Sequence, residues 1–346
     1  MKIALDAMGG DHAPHSTVQG AFEYIKEFGS DSAEILLLGH QDRLDRLIKE
    51  YNDPFKKVSI IHAPQVVDTD EIPSKIFKTK PDSSLVKAVE LVKIGEADAV
   101  VSSGNTGALM VSSLFLLGKI KGIRRPTLAP FIPTKTGGFI LCDAGANTDV
   151  KPHNLVQFAI MAQAYIEHLE GWKNPSVALL NIGSEETKGN ELTRSTFPLM
   201  KSHVSNFIGN IEARYVLNGK ADVVVTDGFT GNILLKTIEG ALSHMMDWFH
   251  ESIKSHPICR LSAPLMAPAI KDLKKSMDYE EHGATPLLGV NGIAMKCHGS
   301  STFRGIKSSL IAAKKAFDEN LITDIAYRIS EHLDIIENHS NNDDEN

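Results

Sequence analysis

Cysteine is scarce in this chain. There are three, Cys142, Cys259 and Cys297, and no two form a C-x-x-C pair. That spacing argues against a disulfide framework and a zinc site, and it fits a reducing cytoplasm. Positive charge is not in excess either. The formal net charge is −7 and the pI about 6.1, which is not the basic footprint of a general nucleic-acid binder. No apolar run approaches the ~18 residues of a transmembrane helix. The N-terminal run MKIALDAM stops at Gly9-Gly10-Asp11, too short for a signal peptide. Several signatures are also missing: Walker A, G-x-G-x-x-G after a strand, G-x-S-x-G and H-E-x-x-H. Their absence argues against a P-loop nucleotidase, a standard dinucleotide binder, a nucleophile-elbow hydrolase and a zincin.

What is present is a chain able to build a large core. Of 346 residues, 42% are hydrophobic and 23% charged. Strand-like runs fall at 2–7, 35–39, 58–62, 99–102, 139–143, 177–182 and 222–226. Several, such as AVV and DVVVT, are apolar throughout, the look of strands buried on both faces. Amphipathic helical patterns lie between them, notably at 83–94, 105–117, 154–170 and 230–253. The alternation predicts an α/β fold, an α/β/α sandwich with a largely parallel sheet. The expected organisation is one catalytic domain over 1–337, with an inserted amphipathic helical segment at about 254–280. The polar stretch NHSNNDDEN at 338–346 reads as a disordered acidic tail.

Parallel sheets bind ligands beyond the carboxyl ends of their strands, where the following helix presents backbone N–H groups. Three strand-to-helix turns here are rich in Gly, Ser, Thr and Asn: SGNTG at 103–107, GSEETKGN at 183–190 and DGFTGN at 227–232. Glycine allows close backbone approach to an anion, and the polar side chains add donors. Any single turn is better explained by capping and turn chemistry. Three turns, expected at the same edge of one sheet, point to a phosphate or oxyanion site. Asp6, Asp11, His12 and His15 around the first strand read as turn-stabilising groups before ligands or acid–base groups. Cys142 in LCDAGAN reads as a small buried residue rather than a nucleophile.

Seven segments, in order, resemble the phosphate acyltransferases (the PlsX family, acyl-carrier-protein:phosphate transacylases). They are LDAMGGDHAP at 5–14, SSGNTGAL at 102–109, LCDAGAN at 141–147, GSEETKGNE at 183–191, DGFTGN at 227–232, PLLGVNG at 286–292 and HGSS at 298–301. The least familiar parts are 257–279 and the Lys296-Cys297 pair before HGSS. The resemblance implies a fold related to isopropylmalate dehydrogenase and phosphotransacetylase, and a homodimer. It implies transfer of a fatty acyl group from acyl carrier protein to inorganic phosphate, for glycerophospholipid synthesis. The product would pass to a membrane glycerol-3-phosphate acyltransferase, from a cytoplasmic enzyme peripherally associated with the membrane. No cofactor, metal or nucleic acid is expected. Alternatives are a phosphotransacetylase acting on coenzyme A thioesters and a non-enzymatic membrane-attached scaffold.

In this reading phosphate is itself the nucleophile, so no triad is required. Lys188, the cation within the three turns, is expected to hold phosphate or the oxyanion; otherwise it is a solvated lysine. Asn232 is placed at a helix opening, where its amide can reach the same oxygens or act as an N-cap. Ser103, Asn105, Thr106, Ser184, Thr230 and Asn291 are further phosphate or substrate donors, and His298 can protonate the leaving thiolate. In 261–277 the apolar residues Leu261, Leu265, Met266, Ile270, Leu273 and Met277 recur at mostly helical spacing beside Arg260, Lys271, Lys274 and Lys275. Leu261, Leu265, Met266 and Leu273 are the expected membrane contacts. Pro264 and Pro268 would kink such a helix, and the same stripe could pack on the dimer.

Overall fold

Continuous apolar runs form the strands because both of their faces are covered. Ala99–Ser102 and Val223–Val225, for instance, are buried at every position. The computed structural model describes residues 1–135, 137–256 and 284–332, with 259, 262 and 268. Its strands are β1 (Lys2–Asp6), β2 (Glu34–Gly39), β3 (Val58–His62), β4 (Ala99–Ser102), β5 (Thr127–Leu128), β6 (Phe131–Thr134), β7 (Gly137–Cys142), β8 (Val177–Asn181), β9 (Phe207–Glu212), β10 (Val223–Val225), β11 (Thr285–Leu288) and β12 (Ile293–Lys296). Its α-helices are α1 (His15–Phe28), α2 (Gln41–Ile48), α3 (Ile76–Thr79), α4 (Ser84–Lys93), α5 (Thr106–Leu116), α6 (Pro152–Glu170), α7 (Glu191–His203), α8 (Gly228–Ser255), α9 (Phe303–Asp318) and α10 (Leu321–Ser330).

The strands divide between two sheets. One has the order β3-β2-β1-β4-β12-β11-β5 and the other β6-β7-β10-β8-β9. The first is parallel from β3 to β12, and the second from β7 to β9. The α/β class holds, but the expectation that the three polar turns share one sheet is corrected. The 103–107 turn follows β4 in the first sheet, whereas the 183–190 and 227–232 turns follow β8 and β10 in the second. Strands buried on both faces read alike whichever sheet they join, so the split leaves no mark on the pattern.

Residues 127–134 link the two sheets. β5 pairs with β11, and β6 pairs with β7. Between them the Leu141 N–H donates to the Pro130 carbonyl at 3.0 Å, and the Ala144 N–H to that of Leu128 at 3.0 Å. The core is shared as well. One cluster contains Ile3 and Leu37 of the first sheet, Ile140, Val177 and Val223 of the second, Phe158 of α6 and Ile306 of α9. Each such side chain contributes roughly 1.5–3 kcal/mol by leaving water. α6 opens on Pro152, at a position where the missing N–H costs nothing.

The helices that follow β4, β8 and β10 begin on side-chain caps. Asn105 accepts the Ala108 N–H at 3.0 Å, Asn190 the Thr193 N–H at 2.9 Å, and Asp227 the Thr230 N–H at 2.8 Å. Most of the segment at about 254–280 and all of 338–346 lie outside the described residues. So do Leu261, Leu265, Met266 and Leu273.

Candidate active site

At the carboxyl edge of the first sheet, the turns after β1, β4 and β12 meet. Asp6 is buried, and its carboxylate accepts the Ser102 hydroxyl at 2.7 Å and the Met8 N–H at 3.2 Å. Burial raises its pKa, against these hydrogen bonds. Ser103 donates from Oγ to the Gly9 carbonyl at 2.6 Å, and the Asp11 N–H donates to the Gly299 carbonyl at 2.8 Å. Residue 9 must be glycine, because a Cβ there would stand 2.5 Å from the Asp6 carboxylate and 2.6 Å from the Gly104 nitrogen. Lys296 ends β12 in this nest. Only 8% exposed, it donates from Nζ to the carbonyls of Cys297 and, at 3.4 Å, Ser103. Burial pulls its pKa down, while the nearby carboxylates of Asp6 and Asp11 favour the ammonium.

At the edge of the second sheet, Asp143 organises the turn after β7. Its buried carboxylate accepts the N–H groups of Leu128 at 3.1 Å, Ala146 at 3.1 Å and Asn147 at 2.7 Å, and the Asn147 amide at 2.9 Å. Burial again raises the pKa. The first turn of α8 lies directly on this loop. A Cβ at Gly231 would sit 1.9 Å from the Asp143 carbonyl oxygen. That close contact sets where α8 starts, and it brings Asn232 against Gly145.

Between the two edges lies a cleft of about 710 Å³. Its polar end is lined by Thr106, Asn232, Lys236, Lys296, His298 and Gly299. The rest of its lining is mainly apolar, an apolar trough formed by Leu235, Ile238, Leu242 and Met246 of α8 and Phe131, Ile132 and Pro133 of β6, with Glu239, Ser243, Asp247 and His250 also at the cleft. Lys236 pairs with Glu239 at 2.7 Å near the surface. His298 is held below the ordinary imidazole pKa, first by burial and then by Lys236 and Lys296, with Glu239 and Asp11 opposing. The Ser300 N–H donates to its Nδ1 at 3.3 Å, which in the neutral ring leaves the proton on Nε2. Three basic groups, Lys236, Lys296 and His298, gathered in one cleft suit an anion placed between them.

The residues singled out from the sequence are distributed unevenly around this cleft. Asn232, His298 and Thr106 line it. Asn232 lies a turn inside α8, and Asp227 is the cap. Ser103 is buried and tied to Gly9. Asn105 caps α5 and donates its amide to the carbonyls of Asp68, Thr69 and Glu71. Thr230 donates both its N–H and its hydroxyl to Asp227. Ser184 and Lys188 are exposed on the 183–190 loop and do not line the cleft. Asn291 precedes β12, at the opposite end of that strand from Lys296, and donates its N–H to the Gly118 carbonyl at 3.0 Å.

Lys236 and Lys296 are the cleft cations that sequence reasoning passed over. Lys236 carried a usable signal, standing four residues after Asn232 on the same helix face. Lys296 closes a short apolar run and looked like an irregularity. Cys142 is fully buried with its thiol pKa pushed well up by burial, as expected of a packing residue. No group of three or more His, Cys, Asp or Glu suited to a metal ion occurs among the described residues. No described helix is long and apolar enough to cross a membrane.

Solved structures share this architecture at low identity, which speaks to fold alone. A phosphotransacetylase from Streptococcus pyogenes superposes with a TM-score of 0.61 and 16% identity, covering 92% of this chain and 94% of its own. A branched-chain phosphotransacylase from Enterococcus faecalis gives 0.54 and 14%, covering 91% and 98%. Sequence relatives are much nearer. The phosphate acyltransferase of Desulfitobacterium hafniense (strain DSM 10664 / DCB-2) is 47% identical over 94% of this chain and 96% of its own length. That of Heliobacterium modesticaldum is 45% identical over 96% and 98%. The fatty acid synthesis protein family matches residues 1–324. With that span and those relatives, the chain belongs to the fatty acid synthesis protein family, the family of the phosphate acyltransferases.

Proposed function

We propose that this enzyme moves a fatty acyl group from acyl carrier protein to inorganic phosphate, forming acyl phosphate for glycerophospholipid synthesis. One observation carries the reading: a single cleft joins a cationic polar end to an apolar trough. The first suits a phosphate and the second a fatty chain. Phosphate groups lose their second proton near neutrality, at about pH 6 in phosphoesters, so the nucleophile arrives largely as a dianion. A phosphate oxygen attacks the thioester carbonyl carbon, the carbonyl oxygen becomes an oxyanion, and the C–S bond then breaks to release thiolate. The thiolate takes up a proton from water, while the neutral His298 keeps its Nε2 proton as a hydrogen-bond donor.

In this reading Lys296 and Lys236 hold the phosphate, with Lys236 exchanging Glu239 for it. The Asn232 amide and the His298 Nε2–H donate to the oxyanion, and Thr106 borders the same space. Alignment of phosphate and thioester supplies up to ~7–11 kcal/mol of the barrier. One oxyanion donor supplies about 3–4 kcal/mol. Lys188 and Ser184 serve the rim rather than the reacting atoms. The same reading takes 1–337 as one catalytic unit in a homodimer. The exposed α8 residues Ile233, Met245 and Trp248, which do not line the cleft, support a covered face. It places the enzyme in the cytoplasm, with the segment at about 254–280 on the membrane and the product passing to a membrane glycerol-3-phosphate acyltransferase.

The test is phosphate-dependent release of free thiol from palmitoyl acyl carrier protein, run beside palmitoyl and acetyl coenzyme A. Fastest release from the carrier protein is expected. Preference for acetyl coenzyme A would make the enzyme a phosphotransacetylase instead.

A further inference from the structure

We infer that the trough between α8 and β6 is the acyl-chain site and that Met246, at its far end, sets how long a chain it accepts. This rests on the acyl-transfer reading above. Leu235, Ile238, Leu242 and Met246 all line the cleft from α8. Their spacing of three, four and four residues places them in one stripe along the helix. The extended segment Phe131-Ile132-Pro133 of β6 lines the same cleft. Met245, the neighbour of Met246, does not line the cleft and is 60% exposed.

The two ends of the trough differ in kind. Asn232, Lys236, Lys296 and His298 stand at the head, where the thioester reacts, and Asp247 and His250 follow Met246 at the tail. At the rise of an α-helix, Asn232 to Met246 covers about 21 Å, roughly the extended length of a chain of about sixteen carbons. A cleft of about 710 Å³ is in the range that encloses one ligand of that size. Each methylene added within the apolar stripe strengthens binding about fourfold. Past Met246, α8 adds no further apolar side chain to the cleft lining, only Asp247 and His250, so an added methylene gains little. Long chains are therefore favoured up to a cut-off, and the side chain at 246 places it.

The experiment measures phosphate-dependent thiol release from saturated acyl carrier protein donors of graded length. Met246→Trp should move the preferred chain about four carbons shorter, with at least about a tenfold loss on the longest donor and little change on the shortest. Leu242→Trp, about 5–6 Å nearer the head, should shorten it further. Met245→Trp should leave the profile as it is. An unchanged profile in both trough variants overturns the inference. So does an equal slowing on every donor, which would place Met246 in packing or subunit contact. If Met246→Trp does not fold, Met246→Ala should extend the preference to longer chains, and an unchanged profile there also overturns it. A wild-type enzyme that releases no thiol from any donor would instead refute the acyl-transfer reading itself.

Discussion

Asp6 and Asp143 stand at the carboxyl ends of β1 and β7, one in each sheet, and both are buried carboxylates at the root of a glycine-bearing turn. Both are held above the usual carboxylate range by burial. Their neighbourhoods differ in what they add to the cleft. The Asp6 edge brings up Lys296, a buried ammonium held by carbonyl oxygens. The Asp143 edge brings no lysine of its own strand; it seats α8, which supplies Asn232, Lys236 and the apolar wall. One edge supplies fixed charge, and the other supplies a helix face with amide and hydrocarbon. In the proposed reaction, phosphate and acyl chain meet where the two edges face each other.

Substitution at the two edges should separate these roles, and the largest effect is expected at Lys296. Lys296→Met should lower kcat/KM by about a thousandfold through loss of phosphate and transition-state stabilisation. Its melting temperature should hold or rise, since a buried charge is replaced by an apolar chain of similar size. Asp143→Ala should behave in the opposite sense. It strands the buried N–H groups of Leu128 and Asn147 and the partly buried one of Ala146, and should lower stability by about 3 kcal/mol or more in denaturant unfolding. Matching losses of stability in the two variants would erase the distinction between charge supply and scaffold.

Asn232→Ala should reduce turnover by about a hundredfold with a normal melting curve, because a residue one turn inside α8 does no capping. A smaller effect is expected at His298. Its folded pKa lies below the ordinary 6.5, so the unfolded chain binds the extra proton first as pH falls. The stability it contributes is thus lost on acidification from about 6.5 down to the lowered value. His298→Gln keeps a neutral donor and should retain activity to within about tenfold. Its acid limb should carry one ionisation, from phosphate, where the wild type carries two. Two ionisations in the variant would remove His298 from the site. The smallest effect is expected at Lys188, where alanine should cost less than about fivefold, as for an exposed charge. A loss equal to that of Lys296→Met would move the phosphate to the 183–190 loop.

Much of the scaffold was legible because apolar continuity and capping chemistry are local. All seven strand runs expected from the sequence appear, within one or two residues at their ends. β5, β6 and β9, and the β11–β12 hairpin, were not legible. The first two are very short or hold a proline, and β9 reads Phe-Ile-Gly-Asn-Ile-Glu, without a continuous apolar run. Site residues fared according to how local their role is. Asn105 and Thr230 resemble ligands by type, yet their hydrogen bonds lie within their own turns or an adjoining loop. Asn291 belongs to a Gly-rich motif that the hairpin carries to the wrong end of β12.

The residue sequence determined the α/β class, the strands buried on both faces, the helix starts and, through seven ordered segments, the family. Those properties depend on near neighbours or on motif order, and both can be read along a chain. The tertiary structure decided that the strands form two sheets, that 127–134 bridges them, and that Lys296, Lys236, Asn232 and His298 face one trough. These groups come from β12, α8 and the turn after β12, and nothing in their spacing along the chain requires them to meet. Packing does, because Gly9 and Gly231 allow backbone contacts that any side chain would block.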